Sequence, residues 1–79
     1  MPATKTTLDW KGDMRFEAQL QGHSLTVDAD PRFGGRDQGP RPKALVLTAL
    51  GGCTGMDVVS LLAKMKMPFD SLAVEVEGE

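Results

Sequence analysis

Residues 42–65, PKALVLTALGGCTGMDVVSLLAKM, decide how the chain is read. Pro42 suits a first helical turn, where its missing N–H costs nothing. Leu45, Ala49, Gly52, Cys53, Met56 and Ser60 then form a small-rich face, and Leu47, Leu50, Thr54, Val58, Leu61 and Met65 a bulkier one. A helix apolar on nearly all sides is buried on nearly all sides. It starts near Pro42 to Ala44 and runs to about Met65, within a buried segment 44–67 that Pro68 closes. Lys64 and Lys66 near its end suit the helix dipole. Residues 45–63 carry one charge, Asp57, so a membrane reading has to be weighed. A central aspartate costs roughly 2.5–3.5 kcal/mol on insertion. With Gly51, Gly52, Gly55, Thr48, Thr54 and Ser60 also present, the stretch reads as a buried helix of a soluble protein, with no membrane partner.

Before the helix, apolar and polar residues alternate. Thr6, Leu8 and Trp10 form one strand, Met14, Phe16, Ala18 and Leu20 a second, and Leu25, Val27 and Ala29 a third. A period of two marks half-buried strands. Gly12-Asp13 and Gln21-Gly22-His23 read as turns, and short turns favour antiparallel hairpins. Residues 1–30 are therefore a β meander. Residues 31–43 hold Pro31, Gly34, Gly35, Gly39, Pro40 and Pro42, a loop in which regular structure is not expected. After the helix, Leu72, Val74 and Val76 alternate with Ala73, Glu75 and Glu77, a fourth strand over 71–77. The fold class is α+β, in the order β-β-β-α-β.

The chain has 79 residues, a net charge of −2 and four aromatic side chains. A domain this small is marginal for independent folding. One cysteine, Cys53, excludes an internal disulfide, and one histidine, His23, makes a His/Cys metal site implausible. No metal or bound cofactor is expected. The chain cannot cover its own apolar helix, so a partner chain is expected to complete the fold. Arg32, Arg36, Arg41 and Lys43 face only Asp37 within 31–43, a basic island in an acidic chain. Aromatic interleaving stops at Phe33, a poor footprint for nucleic acid. The island reads as a solvated loop or as one that orients an anion. Met1–Thr7 is polar, without the apolar run of a secretory signal. A cytoplasmic setting with a reduced thiol follows.

Gly51-Gly52-Cys53-Thr54-Gly55 is the most unusual local sequence. Each helical glycine costs about 1 kcal/mol relative to alanine, so three of them require close approach of another segment or clearance at the sulfur. Cys53 is either a small buried hydrophobe or a reactive thiol, which needs a nearby cation. The candidate cations are Arg15 and the bases of 31–43. Arg15 lies in a strand and projects opposite Met14, Phe16 and Ala18. His23 reads as a surface turn residue, and Asp57 as a carboxylate that caps, pairs or faces solvent.

The run Gly39-Pro40-Arg41-Pro42-Lys43-Ala44-Leu45, followed by Ala49-Leu50-Gly51-Gly52-Cys53-Thr54-Gly55-Met56-Asp57-Val58-Val59, resembles the OsmC/Ohr superfamily of osmotically inducible and organic hydroperoxide resistance proteins, in particular its OsmC-like branch. Trp10 to Phe16 and Leu25 to Asp28 are similar to that branch too. The resemblance implies an intertwined homodimer with its sites at the subunit interface. It implies thiol peroxidase chemistry on organic hydroperoxides or hydrogen peroxide, in oxidative or osmotic stress defence, with an external dithiol as reductant. Cys53 matches the peroxidatic cysteine. Arg15, in the early hairpin, falls where the family places the arginine that stabilises the thiolate. Two positions depart from the pattern. A glutamate that orients this arginine in the family is replaced by Lys43, and the family's resolving cysteine belongs to the second half of a chain about twice this length. The sequence thus reads as the N-terminal half of a family domain. A non-catalytic module that binds a small apolar ligand, or one that serves only dimerisation, is the alternative.

Overall fold

The computed structural model describes residues 3–78; residues 1, 2 and 79, the ends of the expected 1–79 domain, lie outside the described residues. The chain divides into two compact units, with the break between Pro42 and Lys43. Strands β1 (Thr6–Trp10), β2 (Phe16–Leu20) and β3 (His23–Val27) and a 3₁₀ turn (Pro31–Phe33) belong to the first; nearly all of helix α1 (Pro42–Lys64) belongs to the second.

The strands form an antiparallel sheet in the order β1-β2-β3, the expected meander. Leu20 pairs with His23, and Gln21 (φ 50°) and Gly22 (φ 80°) between them are both left-handed. A turn of that kind matches the twist of its flanking strands. His23 therefore opens β3 instead of lying in the turn, and β3 stops at Val27 instead of continuing through Ala29. The β1–β2 connection is wider. Lys11 N–H donates to the Arg15 carbonyl and Arg15 N–H to the Gly12 carbonyl, both at 2.9 Å. Trp10 Nε1 donates to the Asp13 carbonyl at 2.8 Å. Met14 and Arg15 are thus turn residues, and β2 begins at Phe16.

The alternation has the expected consequence. Leu8, Ala18 and Leu25 form one cross-strand row, and Trp10, Phe16 and Val27 the next. Ala18 and Val27 are buried, whereas Leu8 and Trp10 stay 51% and 64% exposed. On the other face Ser24 Oγ donates to Gln19 Oε1 and Gln19 Nε2 to Glu17 Oε1, both at 3.0 Å.

Residues 31–43 are more ordered than their glycines and prolines suggest. Asp30 caps the 3₁₀ turn by accepting from Arg32 N–H at 2.9 Å, and Pro42 and Lys43 already belong to α1. The loop lies against the 26–29 backbone. A Cβ on Gly35 would overlap the Ala29 carbonyl, and one on Gly39 the Thr26 carbonyl.

In the second unit, Leu47, Gly51, Gly55, Val58 and Leu62 are half-buried. Their three- and four-residue spacing makes one stripe along α1. A Cβ on Gly51 would lie 3.1 Å from Val76, one on Gly55 3.5 Å from Val74, and one on Gly78 3.1 Å from Leu47. The chain after the helix therefore runs back antiparallel along this stripe. Four helical residues rise about 6 Å and two extended residues about 6.6 Å, so the contacts stay in step over these two repeats. The glycines at 51 and 55 thus serve close approach of another segment. Two expectations are corrected here. Residues 71–77 form no strand, because a strand needs its backbone groups paired with a neighbour and this segment meets α1 through side chains. No residue of α1 is buried, because one extended segment covers only one stripe. Val46, Leu50, Met56 and Leu61 are 56–75% exposed.

α1 is long and apolar enough, by length and composition, to cross a membrane. Asp57 in its middle and the valines seated on its glycines argue for a helix packed on protein. The helix ends at Lys64 and not at 67. Lys66 N–H donates to the Ala63 carbonyl at 3.1 Å and Met67 N–H to the Leu62 carbonyl at 3.0 Å, with Lys66 left-handed at φ 55°. This is a Schellman cap, whose left-handed position favours glycine. Lys66→Gly is expected to stabilise the protein by about 1 kcal/mol, read from urea unfolding; a loss of stability would contradict the cap geometry.

Candidate functional site

Cys53 is a free, exposed thiol in the middle of α1. Two residues after Gly51, it stands about 200° round the helix from the covered stripe. Met56, one turn on, is 75% exposed. The reading of Cys53 as a buried hydrophobe therefore does not hold in this chain. Gly52 beside it has no atom within 4 Å of the place a Cβ would occupy. The glycines thus divide: 51 and 55 receive the returning segment, and 52 leaves open space next to the cysteine. An open groove of about 640 Å³ runs between the helix and the chain after it, lined by Gly51, Gly52, Gly55, Met56, Phe69 and Val74 among others. Cys53 is not part of its lining.

Lys43 lies in the first turn of α1, which has no acidic residue. A cation there opposes the helix dipole. Lys43→Glu is expected to raise stability by about 0.5 kcal/mol at low salt, measured by thermal unfolding. An unchanged or lower melting point would show that Lys43 makes a compensating contact.

Arg15 belongs to the first unit and Cys53 to the second. Its Nη2 donates to the Lys11 carbonyl at 3.0 Å, bracing the β1–β2 turn. The arginines of the neighbouring loop do not form an open anion site. Arg36 Nε pairs with Asp13 at 2.8 Å, Arg41 with Asp37 at 2.7 Å and with Asp30 at 3.7 Å, and Arg32 with Asp30 at 3.3 Å. Arg32 also sits 5.5 Å over the Phe33 ring. His23 is exposed on β3. Among the described residues no group of three or more His, Cys, Asp or Glu side chains could hold a metal ion.

Sequence reasoning missed Asp28. Alternation placed it on the outward face of a strand, yet it is 2% exposed. Its Oδ1 accepts from Ala29 N–H at 2.8 Å, and its Oδ2 from Arg36 N–H at 3.2 Å and Gln38 N–H at 3.1 Å. Burial pushes this carboxyl up, but the Ala29, Gln38 and Arg36 N–H groups and the Arg15 guanidinium outweigh it, and the net shift is downward. The Arg32 N–H holds Asp30 low in the same way. A depressed carboxylate stabilises the fold fully above its unfolded pKa, and that stability is lost as pH falls through the folded value. The melting point is therefore expected to be level through neutral pH and to fall only in acid. Asp28→Asn should lower it at pH 7, because an amide cannot accept from both sides. A variant as stable as the parent would contradict this role.

A three-stranded antiparallel sheet followed by a long helix defines an α+β protein, and its most distinctive local feature is a cysteine flanked by helical glycines. The family model described as "OsmC-like protein" matches residues 35–79, and the chain belongs to that family. It is 34% identical over 71 residues to "Protein YhfA" of Escherichia coli (strain K12), an alignment covering 89% of this chain and 50% of the relative. The same figures hold for "Protein YhfA" of Escherichia coli O157:H7 and of Shigella flexneri. The chain thus spans about half the length of the curated relatives it matches.

Proposed function

We propose that Cys53 is the peroxidatic nucleophile of an OsmC-like thiol peroxidase. The observation that carries this is a free, exposed cysteine on a helix inside the region that matches the family. The Cys53 thiolate attacks the distal oxygen of a hydroperoxide. An S–O bond forms and the O–O bond breaks; the sulfur is oxidised to a sulfenic acid and the alkoxide leaves, taking a proton to become an alcohol. For hydrogen peroxide the leaving group ends as water. Cys53 is the only cysteine of the sequence, so a thiol from elsewhere must condense with the sulfenic acid, releasing water. A second thiol reopens that disulfide. Arg15 is the cation assigned to the thiolate. The organic or inorganic nature of the peroxide, the role in stress defence and the cytoplasmic setting belong to the same proposal.

The active form is a homodimer with the site at its interface. The apolar side chains of α1 left open by the returning segment, together with Leu8, Trp10 and Leu25 of the sheet, support this. A folded monomer in light scattering would refute it. The second reading is a non-catalytic module for a small apolar ligand. It is favoured by Lys43, which cannot accept hydrogen bonds from an arginine, and by the open groove beside Gly52. Reduced protein mixed with cumene hydroperoxide or hydrogen peroxide, then titrated for thiol and trapped with dimedone, separates the two. Peroxide-dependent loss of the thiol with a sulfenic adduct at Cys53 supports the first; an unchanged thiol supports the second.

A further inference from the structure

We propose that the free edge of β1 pairs antiparallel with residues 71–77 of a second copy of this chain, Leu8 standing opposite the partner's Val74. The proposal rests on the homodimer reading and names the contact that would build the dimer. β1 is an outer strand in the order β1-β2-β3, so one of its edges has no neighbour. Residues 71–77 alternate as a strand does, yet their N–H and carbonyl groups make no backbone hydrogen bond among the described residues. Unpaired backbone edges are templates for pairing with another chain. Each of these two edges also has one apolar side. Leu8 and Trp10 lie in the cross-strand rows of Ala18, Phe16 and Val27. Val74 and Val76 face α1, and alternation puts Leu72 on their side.

Charge complementarity selects the register. With Leu8 opposite the partner's Val74, Thr6 meets the partner's Val76 and Trp10 the partner's Leu72, all on the apolar side. On the other side Lys5 meets the partner's Glu77, Thr7 the partner's Glu75 and Asp9 the partner's Ala73. The alignment holds one opposite-charge pair and no like-charge pair. Shifting it by two residues sets Trp10 against the partner's Asp70, or Asp9 against the partner's Glu75. The parallel alignment of the same apolar residues also sets Asp9 against the partner's Glu75. Like charges directly opposite each other destabilise a strand pair. In the single chain both edges stay unpaired, and a two-fold axis gives each its complement, because a contact from one copy to the other is repeated in reverse. The partner's α1 arrives with its 71–77 segment, on the side of the sheet where Leu8, Trp10 and Leu25 are exposed. A helix layer on one face of an antiparallel sheet is the ordinary α+β arrangement. The pairing also explains why 71–77 alternates like a strand without being one in the single chain: its neighbour belongs to the other copy.

The test uses the whole chain with Cys53→Ser. Chains carrying Leu8→Cys are mixed with chains carrying Val74→Cys and oxidised in a glutathione buffer. Directly opposite residues of an antiparallel pair have Cα atoms about 4.5–5.5 Å apart, within reach of a disulfide. A mixed disulfide is expected to form in preference to either like pair. A dimer by light scattering in which positions 8 and 74 do not join overturns the edge pairing and leaves the homodimer reading standing. A monomer, whether or not a chain carrying both cysteines closes on itself, overturns the second copy as occupant and the homodimer reading with it. Charge exchange then checks the register. Lys5→Glu alone and Glu77→Lys alone are each expected to weaken self-association about ten-fold, since the contact occurs twice per dimer. Mixing the two variants is expected to restore the affinity of the parent, because every 5–77 contact of the mixed dimer again joins opposite charges. A mixture no tighter than either variant alone overturns the register.

Discussion

Cys53→Ser is expected to consume no cumene hydroperoxide and to form no sulfenic acid, while melting at the temperature of the parent. The two halves of this expectation come from different facts. A serine hydroxyl is not ionised at neutral pH and cannot act as the thiolate does, so the chemical loss is complete. The side chain is exposed on the helix face away from the covered stripe, and exposed substitutions usually change stability by no more than about 0.5 kcal/mol. A variant that loses stability but keeps its peroxide reaction would make Cys53 a packing residue, contrary to its exposure. Lys43→Glu sharpens the comparison. If an acceptor at the helix start helps to orient Arg15, this variant should react faster than the parent, in addition to gaining a small stability increment from the dipole.

Gly35→Ala carries the largest expected effect on stability, about 2–3 kcal/mol, the usual cost of forcing atoms into filled space. The new methyl would overlap the Ala29 carbonyl, and that neighbour is backbone, which cannot turn aside as a side chain can. The strain spreads to Asp28, because the loop that would have to move carries the Arg36 and Gln38 N–H groups its carboxylate accepts. Gly39→Ala should behave similarly against Thr26. Urea unfolding followed by circular dichroism reads both. A midpoint for Gly35→Ala within error of the parent would mean that the loop does not lie on the 26–29 backbone.

Much of this architecture could be read before any coordinates. Alternation of Leu8 with Asp9 or Ala18 with Gln19 has one physical meaning, a strand with its apolar side chains on one face. A turn with Gly22 next to Gln21 leaves little choice of hairpin. The glycines of α1 signalled close approach, and Val74 and Val76 supply it. The misreadings share a cause. Periodicity assigns a face by counting, and it fails where a strand ends: Asp28 follows the last ladder residue and turns inward to gather N–H groups from a loop ten residues on. Residues 72–76 alternate like a strand, but alternation shows only that one side meets apolar neighbours, and here that neighbour is a helix. The basic island was counted along the chain, whereas one of its counter-ions, Asp13, comes from a turn distant in sequence. Cys53 stood out because its glycine-rich setting is costly in a helix, while its reading as a nucleophile came from the family resemblance. Its exposure was not legible, because the pattern shows that one chain leaves part of the helix uncovered but not which face stays open.

The central claim is that Cys53 is tuned for peroxide, and the most direct measurement is its second-order rate constant with cumene hydroperoxide by stopped flow, at neutral pH, beside that of free cysteine. The peroxidase reading predicts a rate far above that of the free amino acid, together with loss of the reaction in Cys53→Ser. A rate equal to that of free cysteine would contradict it and leave Cys53 an ordinary surface thiol.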